Sequence, residues 1–237
     1  MAQRSITQAI LRSVAVTLAV IGLAWAWTTR PVIAAPETQG GNLLVNPSFE
    51  EPYYQLTTEE GGGAIANGWS AWWWNDEANE YQVPEYSIAS IAIDPYRVHS
   101  GNAAQVLFRP AVKHLAGVYQ RVQVPTNALL RFTIYGHAWS SFCRQERDET
   151  ICDPRDSTFG SANPMHMKVG IDPTGGTDGL GPNIVWSREQ TAAFDAYQLF
   201  VVDARARGNW VTVFTYSHPE FPAAVNNVYW DDAALFI

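Results

Sequence analysis

Residues 129–139, Leu-Leu-Arg-Phe-Thr-Ile-Tyr-Gly-His-Ala-Trp, alternate between apolar side chains and polar or aromatic ones. Successive side chains of a β-strand point to opposite faces of its sheet, so a period of two predicts a strand with two different faces. The segment therefore predicts a β fold. The apolar face carries Leu130, Phe132, Ile134, Gly136 and Ala138, and the other carries Arg131, Thr133, Tyr135, His137 and Trp139.

Two later segments show the same alternation. In 165–171 the apolar side chains oppose His166 and Lys168, and in 210–218 one side carries Tyr216 and His218, without an indication of which side is buried. If these strands are neighbours of 129–139, their polar-aromatic faces form one platform suited to a sugar. The expected members are Tyr135, His137, Trp139, His166 and Tyr216, with Arg131 as a further hydrogen-bond donor.

Short β-rich runs bounded by Gly, Pro, Asn or Asp recur along the chain, without a sustained helical period. They predict an all-β fold, a jelly-roll β-sandwich of two antiparallel sheets. Two long connections, 51–67 and 140–164, separate some of the runs. The predicted strands are 42–49, 68–74, 85–91, 103–108, 117–124, 129–139, 165–171, 183–186, 197–204, 210–217 and 228–237.

The size and charge of the chain restrict its partners. The 237 residues, 47% of them hydrophobic, suffice for one large core, so a single domain over 42–237 is expected. The formal charge is −8, and it becomes −11 without the three arginines of the first 35 residues. Nucleic acid and anionic membranes are therefore poor partners, and a neutral or cationic ligand suits this charge better than a polyanion. The expected partner is a polysaccharide or oligosaccharide.

The first 35 residues have the three parts of a secretory signal peptide. Arg4 and Arg12 precede an apolar run over 13–27, and the small residues Ala34 and Ala35 end the segment. We expect cleavage there, a short linker over 36–41, and a secreted or cell-surface protein. The alternative is an uncleaved leader that keeps the domain on the membrane, although the run is shorter than a typical span.

The two cysteines, Cys143 and Cys152, lie in one polar stretch. In an oxidising compartment they are expected to form a local disulfide. A zinc site would need two more ligands, and the stretch contains no histidine.

Four tryptophans follow a glycine-rich segment. Trp69 is expected in the core, whereas Trp72 and Trp74 share one side of a strand with Trp73 on the other. Trp72 and Trp74 are therefore ligand-binding candidates.

Four motifs closely resemble the galactose-binding-domain-like β-sandwiches, which include the carbohydrate-binding modules of bacterial enzymes. They are Asn-Leu-Leu-Val-Asn-Pro-Ser-Phe-Glu (42–50), Ser-Gly-Asn-Ala-Ala (100–104), Gly-Val-Tyr-Gln-Arg-Val (117–122) and Tyr-Trp-Asp-Asp-Ala-Ala-Leu (229–235). The resemblance implies a non-catalytic module that binds a neutral glycan. Residues 165–186 and the cysteine segment depart from the family pattern, so the fold transfers better than any ligand.

The resemblance also implies a structural calcium ion (Ca2+) that joins the first and last strands. Strand alternation would let only one residue of the adjacent Asp pair reach the ion, without indicating which. The positions that match the calcium ligands of the family are Ser48, Glu50, Ser100, Asn102, and Asp231 or Asp232.

Three other functions compete with this interpretation. A glycoside hydrolase would place two carboxylates on one central strand, and no predicted strand has that pattern. A polysaccharide lyase could use Arg131, Tyr135, His137 and Lys168. A cell-surface adhesion domain would use the same sandwich to bind protein. A transition-metal site would need His137, His166 and His218 in register on neighbouring strands.

Overall fold

Two β-sheets pack face to face, and a short hairpin forms a third sheet. The computed structural model describes residues 41–57, 62–76, 78 and 80–237, so the predicted leader and most of the linker lie outside the described residues. Within those ranges, no helix has the length and hydropathy needed to cross a membrane. The strands are β1 (Tyr53–Leu56), β2 (Gly63–Ala66), β3 (Ser70–Trp74), β4 (Glu85–Ser90), β5 (Ala103–Phe108), β6 (Leu115–Gln123), β7 (Leu129–Ser141), β8 (Arg144–Glu146), β9 (Glu149–Ile151), β10 (Met165–Asp172), β11 (Val185–Trp186), β12 (Gln198–Arg205), β13 (Trp210–Pro219) and β14 (Val225–Phe236).

The larger sheet has seven strands in the order β1-β2-β4-β5-β14-β7-β12, and the smaller has five in the order β11-β10-β13-β6-β3. Neighbouring strands are antiparallel except β2 and β4, which share one parallel pair, Gly63 with Tyr86. The predicted all-β sandwich is confirmed, with two antiparallel sheets apart from this contact.

The core lies between the inner faces of the two sheets. Phe132 and Ile134 of β7 meet Met167 and Val169 of β10 there, and all four are fully buried. In β13 the side that carries Val213 faces the core, so Tyr216 and His218 point outward. The apolar faces predicted for 129–139 and 165–171 therefore do face the core. Burial of each large apolar side chain there contributes about 1.5–3 kcal/mol to stability.

The first predicted strand, 42–49, is wrong. Its backbone turns at Asn46 and Phe49, which have φ angles of 47° and 52°. The Asn46 side chain accepts a hydrogen bond from the backbone N–H of Glu50 at 2.9 Å and donates one to its carbonyl at 2.7 Å, which stabilises the turn. Buried Phe49 still anchors this segment in the core, where it stacks on Trp69 at 4.6 Å.

Strands were also missed inside the two long connections. β1 and β2 form a hairpin within 51–67, and β8 and β9 form another within 140–164. The predicted disulfide is present: Cys143 and Cys152, with Cα atoms 4.7 Å apart, close the β8–β9 hairpin at its base.

Candidate functional site

The predicted single platform is wrong, because its members belong to different sheets. β7 lies in the seven-stranded sheet, whereas β10 and β13 lie in the five-stranded sheet. Both sheets turn their apolar sides to the common core, so their polar sides point in opposite directions. The five residues therefore form two groups on opposite outer faces. The groups are Tyr135, His137 and Trp139 on one face and His166 and Tyr216 on the other.

The outer face of the five-stranded sheet holds the larger group of aromatic rings. We call it the aromatic face. Cross-strand pairing places His166 opposite His218 and Lys168 opposite Tyr216. Its members that are at least partly exposed include Trp74, Tyr81, His166, Lys168, Trp186, Tyr216 and His218.

Lys168 lies between two rings on this face. Its Nζ is 4.3 Å from the ring centre of Tyr216 and 5.1 Å from that of Trp186, and the two ring centres are 5.5 Å apart. Burial, with added contributions from Glu189 and Tyr81, raises the pKa of Tyr216 to about 12. The Tyr216 hydroxyl therefore stays protonated at neutral pH and remains a hydrogen-bond donor.

A histidine pair adjoins these rings. The His166 and His218 rings are parallel within 2°, with centres 4.4 Å apart. His166 Nδ1 lies 2.7 Å from a Glu189 oxygen, and its Nε2 lies 3.7 Å from a Glu220 oxygen. Burial lowers the pKa of His218, and the neighbouring His166 lowers it further. Partial burial acts to raise the pKa of Glu189, but the hydrogen bond and charge of His166 lower it overall.

The tryptophans of β3 have distinct roles. Trp69, just before the strand, is in the core as predicted, and Trp73 packs against the core from the inner side. Trp72 faces outward but is only 6% exposed, because the loop residue Gly179 lies on its ring. Trp74 is 40% exposed, and its ring centre is 5.6 Å from that of Tyr81. Of the two predicted ligand-binding tryptophans, only Trp74 presents its ring to solvent, whereas the ring of Trp72 is covered by the loop.

The loop that covers Trp72 runs over 173–184 and conceals part of the aromatic face. Ile184 packs on the outer side of the sheet with Trp72 and Phe214. The buried Asp172 begins the loop, and its Oδ1 accepts hydrogen bonds from the N–H and the hydroxyl of Thr174 at 2.7 and 2.6 Å. The open part of the face is therefore bounded by this loop.

On the opposite outer face, the predicted ligand contacts are occupied by the protein itself. Arg97 is 3% exposed, and its guanidinium lies 5.0 Å from the ring centres of both Trp139 and Tyr229. It donates to His137 Nε2 at 3.0 Å and also binds the Pro154 carbonyl. Burial, aided by the charge of Arg97, lowers the pKa of His137 to about 3. His137 is therefore buried, at 1% exposed, and the Trp139 ring already contacts Arg97.

Two further predicted contacts on this face also have partners. Arg131 forms a two-pronged ion pair with Asp203, with both N–O distances at 2.8 Å. Tyr135 is partly exposed and stacks on His99 at 3.8 Å. The histidines proposed for a transition-metal site are split in the same way, because His137 lies across the core from His166 and His218.

The predicted calcium residues gather at one turn, 99–103. Glu50 Oε1 accepts from the backbone N–H of Asn102 at 2.6 Å. Asp231 Oδ2 accepts from the N–H of Ser100 at 3.2 Å, and Asp232 Oδ1 accepts from the Ser100 hydroxyl at 2.9 Å. The three carboxylates thus hold the two ends of a single turn.

Both members of the Asp pair reach this turn, contrary to the expectation from alternation. The pairing of β14 with β7 is irregular between Asp231 and Ala234, and Asp232 has a φ of 48°, so the alternation of side chains is interrupted. Burial, together with the charge of Asp232, raises the pKa of Asp231 to about 7. Burial acts to raise the pKa of Asp232 too, but hydrogen bonds from His99 and Ser100 lower it overall.

This donor set fits calcium by its chemistry. Ca2+ takes six to eight oxygen ligands, and the turn brings carboxylate, hydroxyl and amide oxygens together. Among the described residues, no three His, Cys, Asp or Glu side chains converge as metal ligands. An ion here would therefore take part of its shell from Ser48, Ser100 and Asn102, and its charge would offset the buried Asp231 carboxylate.

The sequence reasoning missed several residues of the aromatic face. Tyr81 lies in a segment without strand periodicity, and its neighbours on the face are Trp74 and His218. Trp186 was placed on a short predicted strand, but only the order of the strands puts that strand beside β10. Glu189 follows that strand in a region without a recognisable pattern.

No protein-family model matches the sequence, and no curated protein matches it. Similar solved structures include a family 61 carbohydrate-binding module, TmCBM61, in complex with β-1,4-galactotriose. It is 15% identical, with a TM-score of 0.49, over 83% of this chain and 99% of that one. A xylan-binding domain of family 22 from Paenibacillus barcinonensis is 12% identical, with a TM-score of 0.45, over 83% and 95%.

A third similar structure is the enzymatically active domain of tailspike protein 4 from bacteriophage CBA120. It is 8% identical, with a TM-score of 0.44, over 82% of this chain and 21% of that one. Because all three TM-scores are below 0.5, these similarities do not identify a ligand for this chain.

Proposed function

We propose that this protein is a secreted, non-catalytic carbohydrate-binding module that holds a neutral glycan on the aromatic face of its five-stranded sheet. The observation that carries the proposal is the set of partly exposed rings on one outer face, with polar groups between them. Trp74 and Tyr81 lie at the β3 side, and Tyr216 and Trp186 lie toward β11.

The chemistry of a sugar matches both kinds of group. The C–H faces of a pyranose ring pack on aromatic rings, and its hydroxyls need nearby donors and acceptors. Lys168 and the Tyr216 hydroxyl donate, and the Glu189 carboxylate accepts. Lys168 and Glu189 lie 3.7 Å apart, so the two charges offset each other and suit a ligand without net charge.

The electrostatics of Glu189 favour binding over catalysis. A carboxyl that acts as a general acid near neutral pH needs a raised pKa. The pKa of Glu189 is lowered by its contact with His166, which outweighs the effect of partial burial. Glu189 is therefore suited to accept hydrogen bonds from sugar hydroxyls.

The structural calcium ion and the export of the protein are further parts of the proposal. The ion would bind Glu50 and one of Asp231 and Asp232 with oxygens of Ser48, Ser100 and Asn102, and it would fix turn 99–103 against β14. The Cys143–Cys152 disulfide supports a location outside the reducing cytoplasm, at the cell surface or secreted.

Affinity electrophoresis of residues 36–237 in gels that contain β-1,4-galactan, xylan or hydroxyethyl cellulose tests the proposal. We expect at least one polysaccharide to retard the protein, and Trp186→Ala and Tyr216→Ala to weaken the retardation at least about tenfold, or about 1.4 kcal/mol. Tyr96→Ala is the matched control, because Tyr96 is an exposed aromatic residue that contacts Arg155 outside the aromatic face. Equal retardation of all variants, or no retardation by any neutral polysaccharide, would overturn the proposal.

A further inference from the structure

A pocket of about 280 Å³ lies where the loop over 173–184 meets the edge strand β3. One side is formed by the three consecutive tryptophans of β3, including the inward-facing Trp73, so the pocket extends around the edge of the sheet. The other side is formed by four residues of the loop. The lining residues are Trp72, Trp73, Trp74, Thr177, Asp178, Gly179 and Leu180.

The position of the loop depends on a glycine. A Cβ atom on Gly179 would lie 2.2 Å from Cδ2 of Trp72, closer than any real contact. The Trp72 ring is fixed in place on its other side. Its Nε1 donates to the Thr215 carbonyl at 2.9 Å, and it packs so closely on Gly117 that a Cβ atom there would lie 2.6 Å from Nε1. Gly179 therefore lets the loop rest directly on Trp72.

Hydrogen bonds within the loop keep the pocket in shape. Asp178 Oδ1 accepts from the backbone N–H of Leu180 at 2.9 Å, and the Asp178 carbonyl accepts from Gly181 at 2.9 Å. At the base of the loop, Arg207 donates its backbone N–H to the Pro173 carbonyl at 2.8 Å. The pocket is therefore largely formed before any ligand binds.

The lining combines exposed apolar surface with a single charge. Trp74 is 40% exposed and Leu180 is 46% exposed, so both present apolar surface to a ligand. Among the seven lining residues, Asp178 carries the one charged side chain. A carboxylate offers about four lone-pair sites, so the bond from Leu180 leaves Asp178 able to accept from sugar hydroxyls. A uronic acid would instead bring a second carboxylate into a pocket without a cation.

We infer that this pocket is a separate subsite for one neutral sugar ring, which stacks on Trp74 and donates its hydroxyls to Asp178. The inference rests on the proposed function and specifies its ligand. β3 and β10 are separated by three strand spacings, or about 14 Å, so the subsite is distinct from the Lys168–Trp186 region. A bound chain would span both, and Asp178 would exclude a uronic acid from its β3 end.

Saturation-transfer and indole-proton NMR with single sugars tests this assignment. The probes are galactose, xylose, glucose and glucuronic acid. We expect at least one neutral sugar to shift the Trp74 indole signal, and glucuronic acid to bind at least about tenfold more weakly at pH 7. Asp178→Asn should reduce this preference for neutral sugars. Asp148→Asn, in the exposed β8–β9 hairpin, should leave it unchanged.

A glycine substitution tests how closely the loop packs on Trp72. Without any ligand, Gly179→Ala should expose Trp72 to acrylamide quenching. With the neutral sugar added, the same variant should bind it at least about tenfold more weakly. Gly208→Ala is the control, because no atom lies within 4 Å of its added Cβ. Unchanged quenching in Gly179→Ala would contradict the packing argument.

The possible results distinguish a failure of the subsite proposal from a failure of the proposed carbohydrate-binding function. If a polysaccharide retards the protein in gels but no single sugar perturbs Trp74, the subsite is wrong and the module remains. If glucuronic acid binds as well as the neutral sugars, the role of Asp178 is wrong. If neither polysaccharides nor single sugars bind, the proposed function itself fails.

Discussion

The rings of His166 and His218 stack in parallel, 4.4 Å apart, on directly paired positions of β10 and β13. Two imidazolium rings at this distance repel each other, so the stack requires at least one neutral ring. Since burial and His166 lower the pKa of His218, His218 is the neutral partner at pH 7. Tyr81 and Tyr216 both contact His218, so the arrangement of the aromatic face depends on its charge.

Glycan binding should therefore weaken in acid. Burial depresses the pKa of His218 below 6.5, so acid that protonates it places a positive charge against the His166 ring and beside Tyr81 and Tyr216. Gel retardation by the best polysaccharide should fall about tenfold between pH 7 and pH 5, about 1.4 kcal/mol. His218→Gln should flatten this profile. A wild-type profile that is flat over this range would contradict the prediction.

The stability of the fold should also fall in acid, because two buried histidines are neutral. Burial lowers the pKa values of His114 and His137 to about 3, with added contributions from His218 and Arg97 respectively. A depressed folded-state pKa gives stability that is complete above the unfolded value of about 6.5 and is lost as pH falls toward 3. Each histidine should cost on the order of 4 kcal/mol by pH 3.

Urea unfolding between pH 7 and pH 4 measures this loss. His114→Gln should reduce the slope of stability against pH, even if the variant is less stable at pH 7. Gln145→Ala is the control, since Gln145 lies in the exposed β8–β9 hairpin and the change removes no titratable group. Parallel slopes for wild type and His114→Gln would contradict the assignment.

Calcium should stabilise the protein most at alkaline pH. The raised pKa of Asp231, about 7, means that its contribution to stability is present below the unfolded value of 3.8 and is lost as pH rises through 7. A bound cation would offset the ionised carboxylate. Millimolar calcium should therefore raise the Tm by several degrees at pH 8, and by less at pH 5.5.

Scanning calorimetry with calcium or with EDTA checks this prediction. Glu50→Gln should reduce the calcium-dependent shift, whereas Glu149→Gln, in the exposed hairpin, should not. An identical Tm with calcium and with EDTA at pH 8 would remove calcium from the proposal.

Truncation of the two outward-facing tryptophans of β3 should have different effects on stability and on glycan binding. Trp72 is buried beneath Gly179, so Trp72→Ala should cost about 3–5 kcal/mol of unfolding free energy. Trp74 is 40% exposed, so Trp74→Ala should cost less than Trp72→Ala, about 1 kcal/mol, and should weaken glycan binding. Urea unfolding and gel retardation of both variants measure this contrast, and equal stability losses would contradict it.

The disulfide should stabilise the protein without shaping the aromatic face. Closing the short loop between Cys143 and Cys152 is worth about 2–3 kcal/mol in the chain-entropy model. The residues that follow, Asp153 and Pro154, provide the carbonyls bound by Trp139 and Arg97 on the opposite outer face. The double Cys→Ser variant should therefore lose stability and alter the environment of Trp139, which tryptophan fluorescence reports, with unchanged gel retardation.

The alternation of residues along a strand correctly predicted which side chains share a face. It did not predict which strands are neighbours in a sheet. The two faces of 129–139 follow from side-chain alternation, which is a property of the strand alone, and the structure confirms them. Whether 129–139 lies beside 165–171 depends on long-range pairing, and no local pattern encodes it. For that reason Tyr135 and Tyr216 were placed on one platform although they lie on opposite sides of the core.

Local backbone irregularities explain the remaining errors. The segment 42–49 has the composition of a strand, but the left-handed conformations of Asn46 and Phe49 prevent it from pairing. At Asp231 and Asp232 an irregular pairing redirects a side chain that alternation would turn away. Both features lie at the predicted calcium residues, whose gathering at one turn was nevertheless anticipated by the resemblance.

The layered contact of Gly117, Trp72 and Gly179 should constrain which sequences can share this architecture. The indole fills the whole space between two backbones, so none of the three positions can change in size alone. Among homologous chains, a small residue at position 72 should therefore occur together with a side chain at 179, whereas position 117 stays glycine because the Thr215 backbone also blocks it. In such chains the loop would no longer rest on an indole, and the shape of the pocket at β3 would differ from lineage to lineage.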